Sequence, residues 1–386
     1  MSNMPKLRFK EFNDEWELKK LELLCSKISD GIHSTPVYDE NGEYYFINGN
    51  NLKKGVIILD EKTKRVSKEE YQKHFRELNN TTILMSINGT IGNIAFYNNE
   101  KAMLGKSACY ININDNKTNK YFISNQVSST KIQYYYISEL TGSTIKNLSL
   151  KTIKNTPINL PSKQEQEKIA SFLTSVDTKI EQLTKKEKLL QQYKKGVMQK
   201  IFNQEIRFQA DDGSEFCDWE EKRLKEVLDY EQPTKYIVES TEYNGNYNTP
   251  VLTAGKTFIL GYTNEENGIY TNSPVIIFDD FTTANHYVDF DFKVKSSAMK
   301  LLKEKNENIC LKFVYEFIQK LHFPIGEHKR YWISEYSYLK IKLPCLEEQN
   351  KIANFLSSID TKIEQTQKQL EKTKEFKKAL LQQMFV

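Results

Sequence analysis

The chain has 386 residues, 39% of them hydrophobic and 27% charged, enough for two or three domains with real cores. Its net charge of +4 is compatible with nucleic acid and does not establish it. No run of about 18 apolar residues occurs, and MSNMPKLRFKEF lacks an apolar core of signal-peptide length, so neither a membrane span nor export is expected. Cys25, Cys109, Cys217, Cys310 and Cys345 are scattered without a C-x-x-C pair, which reads as buried free thiols in a reducing cytoplasm rather than zinc ligands.

The first block opens Leu7-Arg8-Phe9, followed by Phe12, Trp16-Glu17 and Leu21. A small packed element is expected there, Trp and Phe against a short amphipathic helix. Short β-rich runs follow: Tyr44–Ile47, Val56–Leu59, Thr82–Ile87 and Ile94–Tyr97, with Asn-Gly turns at Asn41-Gly42 and Asn88-Gly89. An aromatic-rich helix is expected near Asn119–Ser138. The block ends at Leu160-Pro161, where the proline should close a strand before a helix starts.

That helix carries apolar residues at alternating steps of four and three: Ile169, Leu173, Val176, Ile180, Leu183, then Leu190, Val197 and Ile201. Roughly 40 residues would make a rod of roughly 60 Å at about 1.5 Å per residue.

A second block then opens Ile206-Arg207-Phe208, with Phe216, Trp219-Glu220 and Leu224. Its β-rich runs are Pro250–Thr253, Val275–Phe278 and the alternating Tyr287–Val294, with an aromatic-rich helix near Glu307–Leu321. It ends at Leu343-Pro344, and a second heptad helix follows through Ile352, Leu356, Ile359, Ile363, Leu370, Leu380 and Met384.

The two helices are copies. Ile158–Phe202 and Ile341–Phe385 align without a gap at a constant offset of 183 residues, with about half the positions identical, polar ones included. The seam is interrupted by Glu187 and Lys194 in one copy and by Thr366, Thr373 and Lys377 in the other, so the distal halves should pack less tightly. A one-sided helix of this length needs a partner, and each copy is the other's nearest candidate. Ile169, Leu173, Val176 and Ile180 with Ile352, Leu356, Ile359 and Ile363 are therefore expected to carry the pairing. The organisation expected is α/β (α+β): a block over 1–160, a helix over 161–203, a second block over 204–343 and a second helix over 344–386. The helices would form an antiparallel coiled coil with pseudo-twofold symmetry.

Enzymatic signals mostly fail. Gly255-Lys256-Thr257 imitates the end of a phosphate loop, but Pro250 stands where the required glycine should be. Asn88–Asn93 has glycines without the strand-and-helix context of a dinucleotide site. No Pro-Pro pair occurs, which excludes the Asp/Asn-Pro-Pro-aromatic motif of amino-methyltransferases. His322 and His328 have poor metal-ligand spacing. One catalytic candidate survives: Asp279 or Asp280 with Asp291 and Lys293 has the composition of a Mg²⁺-dependent nuclease, although Asp289, Asp291 and Lys293 alternate with aromatics as a half-exposed strand does anyway, and block one has no counterpart.

The remaining chemistry is contact chemistry. Ser86, Asn88, Thr90, Lys101, Lys106 and Ser107 cluster around turns in block one. Thr282, Thr283, Asn285, His286, Lys293, Lys295, Lys329 and Arg330 do so in block two. Amides and hydroxyls can read base edges, and Lys and Arg can hold phosphates.

The tandem Leu-Pro-x-x-x-x-Gln…Ile-Ala-x-Phe-Leu-x-x-(Val/Ile)-Asp-x-x-Ile helices and the Arg-Phe…Trp-Glu-x-x-x-Leu starts resemble the specificity subunits of type I restriction-modification enzymes, over essentially the full chain. The resemblance implies two target recognition domains, each reading half of a split double-stranded DNA site. It implies helices that act as spacer and docking surface for two methyltransferase subunits and for restriction subunits. Those partners would hold S-adenosylmethionine, ATP and Mg²⁺; this cytoplasmic chain would carry no catalytic residue, cofactor or metal of its own. Heads held roughly 50–60 Å apart would touch DNA about 15 base pairs apart at about 3.4 Å per pair. The metal-dependent nuclease and a coiled-coil protein scaffold are the alternatives.

Overall fold

Leu160 and Leu343 each end a strand, as the following proline requires, and a long helix starts three residues later in each case. The computed structural model describes residues 4–142, 146–255, 257–321, 323–324 and 329–385. His322, His328 and Lys256 lie outside the described residues.

The chain divides into two units, Met1–Thr184 with Lys368–Val386 and Lys185–Gln367, so each long helix is shared between them. The first unit holds strands β1 (Glu17–Lys20), β2 (Cys25–Asp30), β3 (Tyr44–Ile47), β4 (Leu52–Lys53), β5 (Val56–Ile57), β6 (Arg65–Val66), β7 (Thr82–Asn88), β8 (Thr90–Phe96), β9 (Ala102–Leu104), β10 (Ala108–Ile113) and β11 (Pro157–Leu160). Its short helices are α1 (Lys68–Lys73), α2 (Lys120–Val127), α3 (Thr130–Ser138) and α4 (Leu150–Lys154). The first long helix is α5 (Lys163–Phe202). The second unit holds β12 (Glu220–Arg223), β13 (Leu228–Glu231), β14 (Thr249–Leu252), β15 (Ile259–Thr263), β16 (Val275–Asp279), β17 (Asn285–Val288), β18 (Lys293–Val294), β19 (Met299–Glu304) and β20 (Lys340–Leu343). Its helices are α6 (Leu224–Val227), α7 (Leu311–Lys320) and α8 (Tyr331–Ser334), and α9 (Leu346–Gln383) is the second long helix.

One plan is used twice. The four-stranded antiparallel sheet runs β2-β10-β7-β8 in the first unit and β13-β19-β16-β17 in the second. Beside it lies a mixed three-stranded sheet, β6-β3-β9 or β15-β14-β18, in which β3–β9 and β14–β18 are the parallel pairs. The first and last strands of each block pair antiparallel, β1 with β11 and β12 with β20, which closes the block at the point where the long helix leaves.

The glutamine of the repeated Leu-Pro motif explains its fixed spacing. Gln166 Nε2 donates to the Pro161 carbonyl at 2.9 Å, and its Oε1 accepts from Thr118 Oγ1 at 2.7 Å and from the Asn119 N–H at 3.1 Å. Gln349 Nε2 donates to the carbonyls of Pro344 at 2.9 Å and Asn308 at 3.1 Å, and its Oε1 accepts from the Cys310 N–H at 2.8 Å. Asn119 and Cys310 cap α2 and α7, so one buried amide joins the start of each long helix to the start of a block helix.

In the first unit Ile169, Leu173 and Val176 are buried with Leu380, Met384 and Phe385, beside Trp16 and Phe122. In the second, Ile352, Leu356 and Ile359 are buried with Met198, Ile201 and Phe202. Ile180 and Ile363 are half-buried at the edges of these clusters. Each fully buried Leu or Ile contributes about 1.5–3 kcal/mol, so these turns anchor helix to block. Polar residues on the seam find partners across it. Lys377 meets Asp177 at 2.5 Å in the first unit. In the second, Lys194 meets Asp360 at 2.7 Å and Gln367 donates to Glu187 at 2.8 Å. Residues 187 to 194 of α5 thus run against 367 to 360 of α9: the pairing there is antiparallel.

Some expectations need correction. Each block opens on a strand with a turn of four residues behind it, not on an amphipathic helix, because β11 and β20 offer an open edge. The alternating run Tyr287–Val294 splits: Asn285–Val288 pairs with β16, whereas Lys293–Val294 pairs parallel with β14 in another sheet. The run Val56–Leu59 is a strand only over Val56–Ile57. The aromatic stretch 119–138 forms two helices, because Ser129 caps a new one. All five cysteines are free thiols, but only Cys109 is buried and Cys217 is exposed.

Candidate nucleic-acid interface

The tip of the central hairpin is held in the same way in both units. In the first unit β7 turns into β8 at Asn88-Gly89-Thr90, with Gly89 at φ +73°, a conformation that favours glycine. The segment before α4 lies against this tip. Gly89 N–H donates to the Lys146 carbonyl at 3.0 Å, Leu148 N–H to the Ile87 carbonyl at 2.8 Å, and the Asn88 amide reaches Asn147 Oδ1 at 3.4 Å. Thr90 and Lys146 are exposed and Asn88 is half-buried.

In the second unit the β16–β17 tip spans Asp279–Asn285. Asp279 Oδ1 accepts from the Phe281 and Thr282 N–H groups, both at 2.8 Å, and Thr283 sits at φ +57°. A β-branched residue there is strained, and the Asp279 carbonyl accepting its N–H at 3.0 Å holds it. The segment before β20 lies against the tip. Tyr331 N–H donates to the Asp280 carbonyl at 2.8 Å and Trp332 N–H to Asp280 Oδ1 at 2.9 Å. Lys329 and Arg330 directly precede this latched pair in the chain. Arg330 is exposed, and Lys329 pairs with Glu335 over the Tyr331 ring.

The structure therefore places Asn88 and Thr90 at one tip and Thr282 and Thr283 at the other, with Lys329 and Arg330 next to the segment latched there. The remaining sequence candidates divide. Lys106 is exposed in the turn before β10, and Lys101 is exposed but paired with Glu43 at 2.8 Å. Ser107 Oγ accepts from Gly49 N–H at 2.9 Å and donates to Asn48 Oδ1 at 2.8 Å. Asn285 accepts from Gln319 and donates to the Thr283 carbonyl at 3.1 Å. His286 stacks on Phe258 with centroids 4.2 Å apart, and burial pushes its pKa below the usual value. Lys295 lies 5.8 Å from the Tyr243 ring.

Two candidates are withdrawn. Ser86 is buried, with its hydroxyl accepting from Asn93 N–H at 2.9 Å. Lys293 is buried, with Nζ 2.8 Å from Glu265 and donating to the Asn267 carbonyl at 2.5 Å. Neither can meet DNA from its present position.

The nuclease constellation loses its members in the same way. Asp279 is a turn cap, Asp280 is buried against α8 with Lys300 3.5 Å away, Lys293 is paired, and Asp291 is exposed. Among the described residues no three His, Cys, Asp or Glu side chains converge as a metal site needs.

Sequence reasoning missed a basic aromatic face on β3 and β6. The Arg65 guanidinium lies 4.6 Å from the Tyr45 ring centre and donates to its hydroxyl at 2.8 Å, and Lys64 Nζ lies 4.1 Å from the Tyr38 ring. The run Lys62-Thr63-Lys64-Arg65 beside a Tyr-rich stretch was the available signal. Lys146 was missed because nothing in sequence joins it to Gly89.

Two blocks of one strand order, each with a latched hairpin tip, make this a protein of duplicated design. The family model for the type I restriction modification DNA specificity domain matches residues 13–191 and again 217–374, and the chain belongs to this family. It is 55% identical over 141 residues to the EcoR124I/EcoR124II specificity subunit of Escherichia coli, a match spanning 35% of either chain. It is 26% identical to the putative MjaX specificity subunit of Methanocaldococcus jannaschii over 98% of this chain and 95% of that one. The fold matches the type I S subunit from M. genitalium with a TM-score of 0.69 at 19% identity, over 99% of both chains. No helix among the described residues is long and apolar enough to cross a membrane.

Proposed function

We propose that this chain is the DNA-reading subunit of a type I restriction-modification enzyme. Each unit reads one half of a bipartite duplex target through its hairpin tip and the segment latched to it. The long helices keep the two reading heads apart and recruit two methyltransferase subunits, which in turn assemble with restriction subunits. Methyl transfer and cleavage, with S-adenosylmethionine, ATP and Mg²⁺, belong to those partners in the cytoplasm. The carrying observation is that the strand order is the same in both units, β2-β10-β7-β8 and β13-β19-β16-β17, while the tips differ: Asn-Gly-Thr in one, Asp-Phe-Thr-Thr in the other. A shared scaffold with unlike tips suits two unlike half-sites.

The test is to purify the chain with its co-expressed partners and map the methylated sites. Replacing Asn88 and Thr90 with alanine should relax one half-site only, and Thr282→Ala with Arg330→Ala the other. Loss of both halves together from either variant would sink the reading.

A further inference from the structure

The β16–β17 tip carries an exposed aromatic ring on a rigid base. Phe281 is 37% exposed, whereas Asp280 just before it is 2% exposed. Asp280 is tied on every side. Its N–H donates to the Ala298 carbonyl at 3.2 Å, and its carbonyl and carboxylate accept from the Tyr331 and Trp332 N–H groups at 2.8 and 2.9 Å. Asp279 Oδ1 holds the N–H groups of Phe281 and Thr282, each at 2.8 Å, and Thr283 is fixed at φ +57°. The backbone under the ring is thus set before any ligand arrives.

Aromatic company lies close by and goes unused. Phe278 packs on Trp332 and Tyr336 with ring centres 5.3 and 4.8 Å apart, but Phe281, three residues on, meets no other ring among the described residues. A phenyl ring left in water forgoes the free energy of burial. On duplex DNA the groove edges offer little apolar surface beyond the thymine methyl, whereas the faces of the bases offer a great deal. Apolar wedges that part a base step use such a ring beside polar and basic side chains. Here Thr282 follows the ring, and exposed Arg330 precedes the segment latched to Asp280. The first unit has no such ring, since its tip reads Asn88-Gly89-Thr90.

We infer that Phe281 is a wedge, which enters the base stack at one step of the half-site read by the second unit and kinks the duplex there. This rests on the DNA-reading role proposed above. The kink is roughly 20–90°, the range of side-chain wedges, and the half-site read by the first unit receives none. Pyrimidine–purine steps part most readily, so the wedge favours one at the place it enters, without touching a base edge. The second unit thereby selects sequence by the ease of deformation as well as by contact.

The test uses the full chain co-expressed with its methyltransferase subunits and duplexes holding the mapped target, with a fluorophore pair flanking one half-site at a time. Energy transfer should report a bend across the second unit's half-site that Phe281→Ala abolishes, with roughly tenfold weaker binding and an unchanged melting temperature. Phe281→Leu, still an apolar wedge, should keep most of both. A nick moved step by step through that half-site eases kinking without changing a base. At one step it should tighten wild-type binding several-fold and leave Phe281→Ala unmoved. A bend that survives in Phe281→Ala, or its absence in a wild-type complex that binds and methylates the target, would overturn the inference alone. So would a melting temperature lowered by Phe281→Ala, which places the ring in the fold, or a lost methyltransferase subunit, which places it in a protein contact. A wild-type complex that binds no duplex would overturn the proposed function and this inference with it.

Discussion

Arg8 grips Glu165 through two parallel hydrogen bonds, Nε to Oε1 and Nη2 to Oε2, both 2.7 Å long, although 157 residues separate them. Arg207 holds Glu348 in the same fork at 3.2 and 2.8 Å. The arginine opens each block and the glutamate sits in the first turn of each long helix. Both carboxylates are buried, and the pairing raises the pKa of each guanidinium through the hydrogen bond to its glutamate.

Removing one partner of such a pair leaves a charge with no counterpart. Glu165→Ala should therefore destabilise the first unit by about 3 kcal/mol. Glu348→Ala should cost more, because Glu348 Oε2 also accepts from the Trp219 indole N–H at 3.0 Å. Urea unfolding of each variant checks this. Equal losses, or losses below about 1 kcal/mol, the range of a surface pair, would show that water reaches the fork.

Gln349 offers a sharper test of the motif glutamine. Gln349→Leu keeps the volume but strands two carbonyls, of Pro344 and Asn308, and the N–H of Cys310. Each buried unmet group costs about 1–3 kcal/mol, so a total near 3 kcal/mol is expected after partial relaxation. Amide exchange at the start of α7 should accelerate ahead of the rest of that helix, and unchanged exchange there would contradict the role given to the side chain.

The long helices and the strands before Pro161 and Pro344 were legible, because heptad spacing and a proline act locally. The antiparallel run of residues 187–194 against 367–360 followed from the need of each half-apolar rod for a partner. The buried fork of Arg8 and Glu165 was not legible, because 157 residues separate the two and only the β1–β11 pair brings them together. Lys293 failed for a related reason. Alternation along Tyr287–Val294 marks two faces but not the covering segment, and Glu265 and Asn267 arrive from 26 or more residues away to seal it. Half of the tip contacts were legible, since Asn88-Gly89 is a local turn signal, whereas the latch of Lys146 on Gly89 depends on tertiary packing.

His286 gives the second unit a pH dependence with a defined sign. Burial beside Phe258 lowers its pKa below the ordinary value of 6.5, opposed by hydrogen bonds to the backbone of Ala254 and Gly255. Above pH 6.5 the imidazole is neutral in both states and folding is unaffected. As pH falls below 6.5 the unfolded chain takes up the proton first, so stability drops until the folded pKa is passed. His286→Gln should flatten the fall of urea midpoints as pH drops below 6.5 without changing them near pH 8. A slope retained in the variant would assign the titration to another group.

Lys293 and Arg330 separate a structural lysine from the arginine proposed to contact DNA. Lys293 is 4% exposed at its side chain and faces Glu265, whose carboxylate also accepts from the Glu239 and Ser240 N–H groups. Lys293→Ala leaves that carboxylate without its cation and should cost about 3 kcal/mol of stability. Once correction is made for the folded fraction, the salt dependence of duplex binding should not move. Arg330 is exposed beside the β16–β17 tip, so Arg330→Ala should leave urea unfolding within about 0.5 kcal/mol of wild type. Each phosphate contact contributes about 0.9 to the slope of log K against log salt, so that slope should fall by about 0.9 in Arg330→Ala. Titrations between 50 and 200 mM salt resolve the difference. The reverse pattern, a slope change for Lys293→Ala and none for Arg330→Ala, would mean that the second unit meets DNA through the face carrying β18 rather than through its hairpin tip.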